Sequence, residues 1–520
     1  MSLSIYVALF TMLALSWYRL SKIGQRPPEY PPGPPTLPII GNLHQMPREK
    51  GHLQFQKWAD EYGPVYSLIL GTKVMIVLSS DRTVKDLLDK RSKIYSSRPD
   101  MYLGKVGYDV TWRAIRRIVH ISLSINASKA YVPYQDLENK AMLMGLLEEP
   151  DRFVDHIRRY TNSLTTQMIF GFRTESIDDP RLKQLYHGFE KFCEVAGSQV
   201  AALLDVFPIL RSLPDWILPI KRHAKRLHDE ESKLYIGHWS DFKKASENGT
   251  AKRCFGVALL KAQAEMKFSD ALAGYISGSL LEAGSDTTAA VLIGFIQAMV
   301  LFPEVMKKAQ EELDRVCGGR LPTLEDMESL PYICSCVKES LRWMPTSILG
   351  VPHALVEDDN YLDYKIPKGA SVICNVWSIH MDPKRHSNPR HFDPTRYQDD
   401  GQTAAEAANN PDASKRDHFV FGNGRRLCQG MHIAERSLFL AISRILWGFN
   451  IGKVVDAFGK EIVPDPEFLT EGLFVQPQPF LAKIEPRGSE QAETIQAEWK
   501  DMKKLLDENS QWKETPQGIM

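Results

Sequence analysis

Residues 421–430 read FGNGRRLCQG and run directly into a segment with helical periodicity at residues 433–447. Glycines in such a loop let the backbone turn tightly and leave space for a flat ligand. Cys428 stands just before the predicted helix, where the positive end of the helix dipole and free N–H groups favour a thiolate over a thiol. The residues alone therefore favour a thiolate beside room for a flat ligand, and the alternative, which a lone Gly-x-Gly would favour, is a glycine-rich turn around a buried structural cysteine.

A long apolar segment at residues 270–302 is the second feature of the chain that bears on chemistry. It is long enough to cross a bilayer, but Glu282 and Asp286 lie at its centre. Acids at that depth in a membrane cost roughly 2.5 kcal/mol or more each. The segment is therefore predicted to be a helix through the core of a soluble domain.

Small and polar residues in this helix indicate a specific role. Thr287 is spaced to hydrogen-bond to the carbonyl of Ala283 and to bend the helix, and Gly284 would then leave space for a small ligand. Asp286 and Thr287 are placed to deliver protons to that ligand as general acids. The alternative is close helix packing through small residues, with Asp286 solvated.

The loop at residues 421–430 resembles, position for position, the haem-binding loop of the cytochrome P450 family, and the resemblance extends along nearly the whole globular chain. Four stretches carry it further: Trp112-Arg113-Ala114-Ile115-Arg116, Ala283-Gly284-Ser285-Asp286-Thr287-Thr288, Glu339-Ser340-Leu341-Arg342 and Phe392-Asp393-Pro394-Thr395-Arg396-Tyr397. The resemblance implies a mainly α fold with a small β-sheet region (α+β), built as a single large haem domain. It also implies haem b as the cofactor, with Cys428 as the ligand of the iron.

The resemblance assigns seven residues to haem binding: Trp112, Arg116, His353, Phe421, Gly422, Arg426 and Cys428. Trp112 and Arg116 are four residues apart on a predicted helix, so the indole and the guanidinium share a face and can both reach a haem propionate. Arg426 matches a second propionate-binding arginine. His353 matches a position that is often basic in the family, and the alternative is an ordinary loop histidine.

Glu339, Arg342 and Arg396 are assigned to structure and to support of the haem loop. A glutamate and an arginine at i, i+3 usually form a solvated pair worth a few tenths of a kcal/mol. In the family the pair is buried and joined by a downstream arginine, which Arg396 matches. Loss of one member would leave an uncompensated buried charge, at a cost of roughly 3–5 kcal/mol.

The implied activity follows from the thiolate, which pushes electron density onto a haem iron and favours O–O cleavage. The resemblance implies a monooxygenase that inserts one oxygen atom from O2 into a lipophilic small molecule, with Asp286 and Thr287 as catalytic residues. The electrons would come from NADPH through a flavoprotein reductase. The predicted docking face for that acidic partner consists of Arg113, Arg117, Lys129, Lys415, Arg416 and Arg425, and the alternative is a solvated surface.

Two other functions compete with oxygen insertion. One is an enzyme of the same fold that rearranges or dehydrates an oxygenated substrate without O2, against which the intact Asp286-Thr287 pair argues. The other is a catalytically silent haem-binding or sensor protein. It is suggested by residues 100–111, a segment distinctly shorter than in family members. Either the pocket is unusually open or the chain has lost residues there, and a wetter site would spill reducing equivalents.

The substrate class is predicted only broadly. The resemblance places residues 344–351, residues 469–474 and the helix before Ala283 against the substrate, and these stretches are rich in Leu, Ile, Val, Phe and Met. Such a lining predicts a lipophilic substrate. The overall pattern resembles fungal enzymes that tailor secondary metabolites, with steroid, alkaloid, polyketide and terpenoid scaffolds all open.

Composition and periodicity set the limits of the fold. The 520 residues include 64 basic and 64 acidic ones, so nothing attracts the whole chain to nucleic acid. Seven scattered cysteines without a CxxC pair suggest neither a disulfide framework nor a zinc site. Helical patterns dominate residues 41–487, with strand-like runs at 65–70, 74–78 and 372–376. A charged C-terminal tail at 488–520 follows, with apolar residues at helical spacing.

Residues 1–22 are predicted to be an uncleaved membrane anchor. Residues 3–20 are apolar with no charge before Arg19, which corresponds to roughly 27 Å of helix. A cleaved signal peptide would need a basic start and a small-residue cleavage site, and a buried core helix is the other alternative. Positive charge on the C-terminal side predicts a catalytic domain that faces the cytosol from the endoplasmic reticulum membrane. A stiff proline-rich linker at 23–40 follows.

Overall fold

The computed structural model of the protein describes residues 10–12, 17–18, 21–99, 102 and 110–519, with side chains excepted at 110–114, 121, 196, 197 and 199. Most of the predicted anchor at 1–22 and most of the short segment at 100–111 lie outside the described residues. Within that segment, the Tyr102 N–H donates to a carboxylate oxygen of Asp205 at 2.6 Å.

Helices form most of the described chain, which confirms the predicted fold class. Those of ten or more residues are α1 Gly51–Tyr62, α2 Val110–Leu123, α3 Val132–Glu148, α4 Phe153–Phe170, α5 Pro180–Gly197, α6 Pro219–Glu247, α7 Phe255–Met266, α8 Asp270–Leu301, α9 Pro303–Val316, α10 Pro331–Trp343, α11 Met431–Gly448 and α12 Ser489–Lys503. Shorter helical segments are Asp81–Val84, Lys85–Lys90, Ser92–Tyr95, Gln199–Val206, Val376–His380 and Ala404–Asn409. The helices predicted at 335–343 and 433–447 fall inside α10 and α11.

The strands form one four-stranded sheet and three short pairs. They are β1 Val65–Leu70, β2 Lys73–Leu78, β3 His353–Ala354, β4 Asp359–Tyr361, β5 Tyr364–Ile366, β6 Ser371–Cys374, β7 Phe449–Gly452, β8 Val454–Val455, β9 Glu461–Ile462 and β10 Lys483–Pro486. The larger sheet has the order β1-β2-β6-β3, with β2 and β6 parallel and the other pairs antiparallel. The strand predicted at 372–376 ends at Cys374 because the side chain of Asn375 caps the next helical segment by accepting from the Ser378 N–H.

Helix α8 runs through the core, as predicted. Among the described residues it is the only helix long and apolar enough to span a bilayer, and most of it is buried inside the protein. A β-carbon at Gly278 would lie 2.3 Å from the ring of Tyr235 in α6, and one at Gly284 would lie 2.7 Å from Thr165 Oγ1 in α4. The helix therefore serves as a packing centre, and its small residues allow α4 and α6 to approach closely.

Part of the predicted linker packs on the sheet. The N–H of Ser67 in β1 donates to the Pro32 carbonyl at 2.7 Å, and its hydroxyl donates to the Pro31 carbonyl at 2.6 Å. The Arg26 guanidinium donates to the Gly33 carbonyl at 2.8 Å. Because β1 supplies these partners, the proline-rich stretch forms the edge of the folded domain from Pro31 onward.

The C-terminal tail also packs on the domain. Helix α12 lies against α3, and beyond it Leu506, Trp512 and Ile519 are buried in one apolar cluster with Tyr131 and Tyr134. The indole N–H of Trp512 donates to Gln167 Oε1 at 2.6 Å.

A Trp512→Phe variant is expected to lose about 1–3 kcal/mol of unfolding free energy, because the buried Gln167 oxygen would lose its donor while most of the apolar contact stays. Chemical denaturation measures the loss. Trp216→Phe is the matched control, since Trp216 is 75% exposed, and it is expected to change stability by less than about 0.5 kcal/mol. Equal midpoints for the two variants would contradict the tail contact.

Candidate active site

The loop at residues 421–430 is shaped by two glycines with positive φ, Gly422 at 77° and Gly424 at 57°. A β-carbon at Gly424 would lie 2.1 Å from the carbonyl oxygen of Leu88, so only glycine fits there. The Cys428 N–H then donates to the Phe421 carbonyl at 2.8 Å. The loop thereby holds Cys428 three residues before the start of α11 at Met431.

Cys428 differs from the other six cysteines, because it is exposed whereas they are buried or half-buried. Dense protein around the thiol raises its pKa, while the N–H groups of Gly430 and Met431 and the guanidinium of Arg116 lower it. On balance burial outweighs these groups and the pKa of Cys428 lies above that of a free thiol, so they supply only part of the predicted preference for the thiolate. Phe421 completes the loop, with its ring edge-on to His418 at 5.1 Å.

Helix α2 brings Arg116 against the cysteine loop. Arg116 Nη2 donates to the Leu427 carbonyl at 2.8 Å, and the Gln429 side chain donates back to the Arg116 carbonyl at 3.0 Å. Trp112 lies one turn earlier in α2, but its side chain lies outside the described atoms. The structure therefore joins Arg116 to the loop, and the role of Trp112 stays a prediction.

Two arginines, Arg426 and Arg98, meet beside the same loop. Arg426 donates from Nε to the Ser96 carbonyl at 2.9 Å, and Arg98 donates from Nη1 to the Pro352 carbonyl at 2.6 Å. Burial and the nearby Arg426 cation lower the pKa of Arg98 to about 9, which indicates repulsion between the two cations. Sequence reasoning missed Arg98, because it belongs to none of the motifs and only the fold places it here.

His353 lies on β3 next to these arginines. Its Nδ1 is 2.7 Å from the Tyr95 carbonyl, which can only accept, so the ring proton lies on Nδ1. Burial, Arg98 and Arg426 lower the pKa of His353 to about 3, which keeps the ring neutral. In this neutral state Nε2 of His353 is an acceptor. The predicted donation to a propionate therefore requires a second proton, on Nε2, which the negative charge of the propionate would have to stabilise.

Asp286 and Thr287 approach from α8, which packs against α11, the helix that follows Cys428. The hydroxyl of Thr287 donates to the Ala283 carbonyl at 2.7 Å, as predicted. Burial raises the pKa of Asp286 to about 6, although the Arg158 cation opposes the shift. A β-carbon at Gly284 would meet Thr165 of α4, so this close packing requires the glycine, and the space that it leaves for a small ligand stays a prediction.

The predicted charge cluster behind the loop is present and buried. Both carboxylate oxygens of Glu339 accept from Arg342, at 2.7 Å from Nε and 2.6 Å from Nη2. Arg396 Nε donates to the same carboxylate at 3.4 Å, and the Asp393 N–H donates at 2.9 Å. Arg342 also donates to the carbonyl of His380 at 3.0 Å, and the Phe419 N–H donates to His380 Nε2 at 2.8 Å, so α10 is tied through His380 to the residues just before the cysteine loop.

The predicted docking face needs one correction. Arg117, Lys129, Lys415 and Arg425 are exposed, as such a face requires. The prediction that Arg416 belongs to this face is wrong, because Arg416 is buried. Its guanidinium forms an ion pair with Asp89 and donates to the carbonyl of Asn410. The side chain of Arg113 lies outside the described atoms.

Comparisons with known proteins show which family the chain resembles along nearly its whole length. The family model described as Cytochrome P450 matches residues 31–482. The chain is 56% identical over 519 residues to the cytochrome P450 monooxygenase virE of Hypocrea virens, which covers 98% of this chain and 94% of that protein. It is 53% identical to fsoB of Humicola fuscoatra, over 96% of this chain and 95% of that protein. It is 51% identical to fogE of Aspergillus ruber, over 99% of this chain and 97% of that protein. Both relatives are named cytochrome P450 monooxygenases.

Proposed function

The chain belongs to the cytochrome P450 family and is a cytochrome P450 monooxygenase, and we propose that it oxidises a lipophilic small molecule with electrons passed from NADPH by a flavoprotein reductase. The observation that carries the proposal is the position of Cys428: an exposed cysteine in a glycine-shaped loop, before α11 and beside Arg116. Membership in the family implies haem, and we propose Cys428 as the ligand of its iron.

The residues around the loop fit a haem with two carboxylates. Arg98 and Arg426 repel each other, and among the described residues Arg98 forms no ion pair with a carboxylate. A propionate between the two guanidinium groups would relieve that repulsion and accept charge-assisted hydrogen bonds. Arg116 would serve the second propionate, together with Trp112. A haem iron with a thiolate ligand supplies the activation of O2 when bound.

Proton delivery is proposed for the Asp286–Thr287 pair, with Asp286 as the group that gives up the proton. The Thr287 hydroxyl is committed to the Ala283 carbonyl, so the proton that leaves the helix comes from the Asp286 carboxyl. A pKa near 6 lets that carboxyl hold and release a proton close to neutral pH. This pair supports oxygen activation over a rearrangement without O2 and over a silent haem-binding protein.

The proposed substrate is a lipophilic molecule of fungal secondary metabolism. In the stretch at 469–474, the ring of Phe474 lies 6.0 Å from that of Phe189 in α5 and supplies an apolar wall. Leu469 and Met344, by contrast, are buried in the main core cluster, so those two positions are structural. The fungal relatives support the pathway class.

Membrane attachment is proposed through residues 1–22, with the catalytic domain facing the cytosol at the endoplasmic reticulum. Exposed apolar side chains on two segments of the chain support it. They are Leu37 and Ile39 in the linker, and Ile209 and Trp216. The two segments that carry them meet, because Gly41 bridges to Leu70 and the Thr72 hydroxyl donates to the Val206 carbonyl. One end of the domain therefore presents an apolar surface beside the linker.

Docking of the reductase is proposed at Arg117, Lys129, Lys415 and Arg425. A double variant, Arg117→Glu with Lys129→Glu, is expected to slow electron transfer from the reductase by about 10-fold at low salt, because charge complementarity mainly sets the rate of association. Stopped-flow reduction measures the effect. The difference should shrink in high salt, where surface charges are screened.

The matched control is Lys57→Glu, which reverses an exposed lysine on α1. It is expected to match the wild-type rate. Equal rates for the double variant and the control at low salt would exclude this face as the docking site.

The function itself is tested with the purified protein, a fungal reductase, NADPH and a panel of lipophilic secondary metabolites under 18O2. The proposal predicts a product that carries one labelled oxygen atom. The short segment at 100–111 further predicts substantial hydrogen peroxide release beside the product. Haem uptake without oxygen consumption for any compound would contradict the proposed function.

A further inference from the structure

We propose that Glu282 returns a proton to Asp286 and itself receives one from Glu231, so that α8 and α6 together carry a proton path from the protein surface to the active site. The proposal rests on the proposed role of Asp286 as proton donor. It adds the residues that reload this donor after each turnover.

The path begins at a close contact between α6 and α8. A β-carbon at Gly278 would lie 2.3 Å from the ring of Tyr235, so the absence of a side chain there lets the tyrosine lie flat on α8. The Tyr235 hydroxyl donates to Oε1 of Glu282, which lies one turn of α8 after Gly278. This bond fixes the carboxyl group and leaves Oε2 as the oxygen that exchanges a proton.

Glu282 is within electrostatic reach of both Asp286 and Glu231. Glu282 and Asp286 are one helical turn apart and share a face of α8. Burial and the charge of Asp286 raise the pKa of Glu282 to about 7, and burial and the charge of Glu282 raise the pKa of Glu231 to about 8. Burial also raises the pKa of Asp286 to about 6, so all three carboxyl groups can hold and release a proton near neutral pH.

The other polar groups near Asp286 cannot replace Glu282 as its source of protons. Tyr186 of α5 donates its hydroxyl proton to the carbonyls of Ser285 and Arg158, at 3.0 and 3.1 Å. Burial raises the pKa of Cys193, also in α5, to about 11, so it stays a thiol near neutral pH. Arg158 of α4 is a permanent cation that lowers the pKa of Asp286. Among the described groups near Asp286, Glu282 is therefore the one that exchanges protons readily.

The outer end of the path opens at α6. Glu231 is half-buried, and its Oε1 is buried without a hydrogen-bond partner among the described residues. The preceding residues of α6, His228, Asp229 and Glu230, are exposed. Glu231 thus joins a buried carboxyl group to the solvent in front of α6.

Each transfer moves one proton and no electron. The O–H bond at Glu282 Oε2 breaks as the proton passes to the Asp286 carboxylate. The Glu282 carboxylate then takes the proton of Glu231, and Glu231 takes one from hydronium at the surface. Tyr235 keeps donating to Oε1 throughout, so Glu282 stays in place between its two partners.

The first test is NADPH-driven oxygen uptake by the full-length protein with its reductase, in H2O and in D2O. Glu282→Gln is expected to slow uptake by about 10-fold or more and to raise the solvent isotope effect, because proton transfer becomes rate-limiting. Glu231→Gln is expected to act in the same direction. Glu282→Asp keeps an acid and should recover part of the rate, which a folding defect would not. Glu230→Gln, an exposed neighbour, should match the wild type.

The second test needs no turnover. Infrared spectra of the resting protein are expected to show a carboxyl C=O band that shifts in D2O, disappears in Glu282→Gln and moves in Asp286→Asn. If the wild-type protein takes up no oxygen, the proposed function is overturned. The infrared band then tests the proton path by itself. Wild-type rates and isotope effects in Glu282→Gln, or a Glu282 band unmoved by Asp286→Asn, would overturn the path itself.

Discussion

Asp286→Asn is expected to slow oxygen uptake and product formation by about 100-fold or more, which is the usual contribution of a positioned general acid. Asparagine keeps the size of the side chain but cannot release a proton. Thr287 cannot compensate, because its hydroxyl is committed to the Ala283 carbonyl in the same helical turn. Steady-state rates with the reductase and NADPH measure the loss, together with the fraction of oxygen released as hydrogen peroxide.

The control for this variant is Asp60→Asn, which alters an exposed carboxylate on α1 and should leave the rate unchanged. Haem content should be equal in both variants, since Asp286 has no part in the proposed haem contacts. An Asp286→Asn variant that turns over within about twofold of the wild type would exclude this carboxyl as the proton donor.

Arg342→Ala is expected to cost roughly 3–5 kcal/mol of unfolding free energy, because it leaves the buried Glu339 carboxylate without its two-point partner. Arg396 stays in contact, but at 3.4 Å it cannot replace the two bonds that are lost. Loss of the bond to the His380 carbonyl should also loosen the segment that precedes the cysteine loop, so purified protein is expected to carry less haem.

Arg315→Ala provides the comparison, since this arginine of α9 is 69% exposed and Glu312, its one ion-pair partner among the described residues, lies 3.9 Å away. It should change stability by less than about 0.5 kcal/mol. Denaturant midpoints and the haem-to-protein ratio report both effects. An Arg342→Ala protein as stable and as rich in haem as the control would refute the structural role of the cluster.

The parts of the fold that the sequence predicted well depend on short-range patterns. The strands at 65–70 and 74–78 and the helix containing Glu339 follow from periodicity, and the structure places their ends no more than four residues from the predicted limits. The bond from Thr287 to Ala283 was also predictable, because residues i and i+4 of a helix meet whatever surrounds them.

The parts that escaped prediction depend on contacts between distant segments. Arg98 reaches the site only because residues 95–98 pack against residues 351–354, about 250 positions away. Arg416 appears as a surface charge in the sequence, and only its ion pair with Asp89 removes it from the surface. The missing side chain of Gly284 lets Thr165 of α4 approach closely, which the local sequence does not indicate. Tertiary packing, rather than local pattern, decides each of these cases.

The measurement that tests the central claim most directly is the reduced, carbon monoxide-bound difference spectrum of the protein beside its Cys428→Ala variant. With Cys428 as the iron ligand, the wild type shows the thiolate-type band and the variant loses it, whereas a Cys334→Ala control keeps it. A thiolate-type band that survives in Cys428→Ala, or its absence from a haem-loaded wild type, would contradict the assignment of Cys428 on which the proposed function rests.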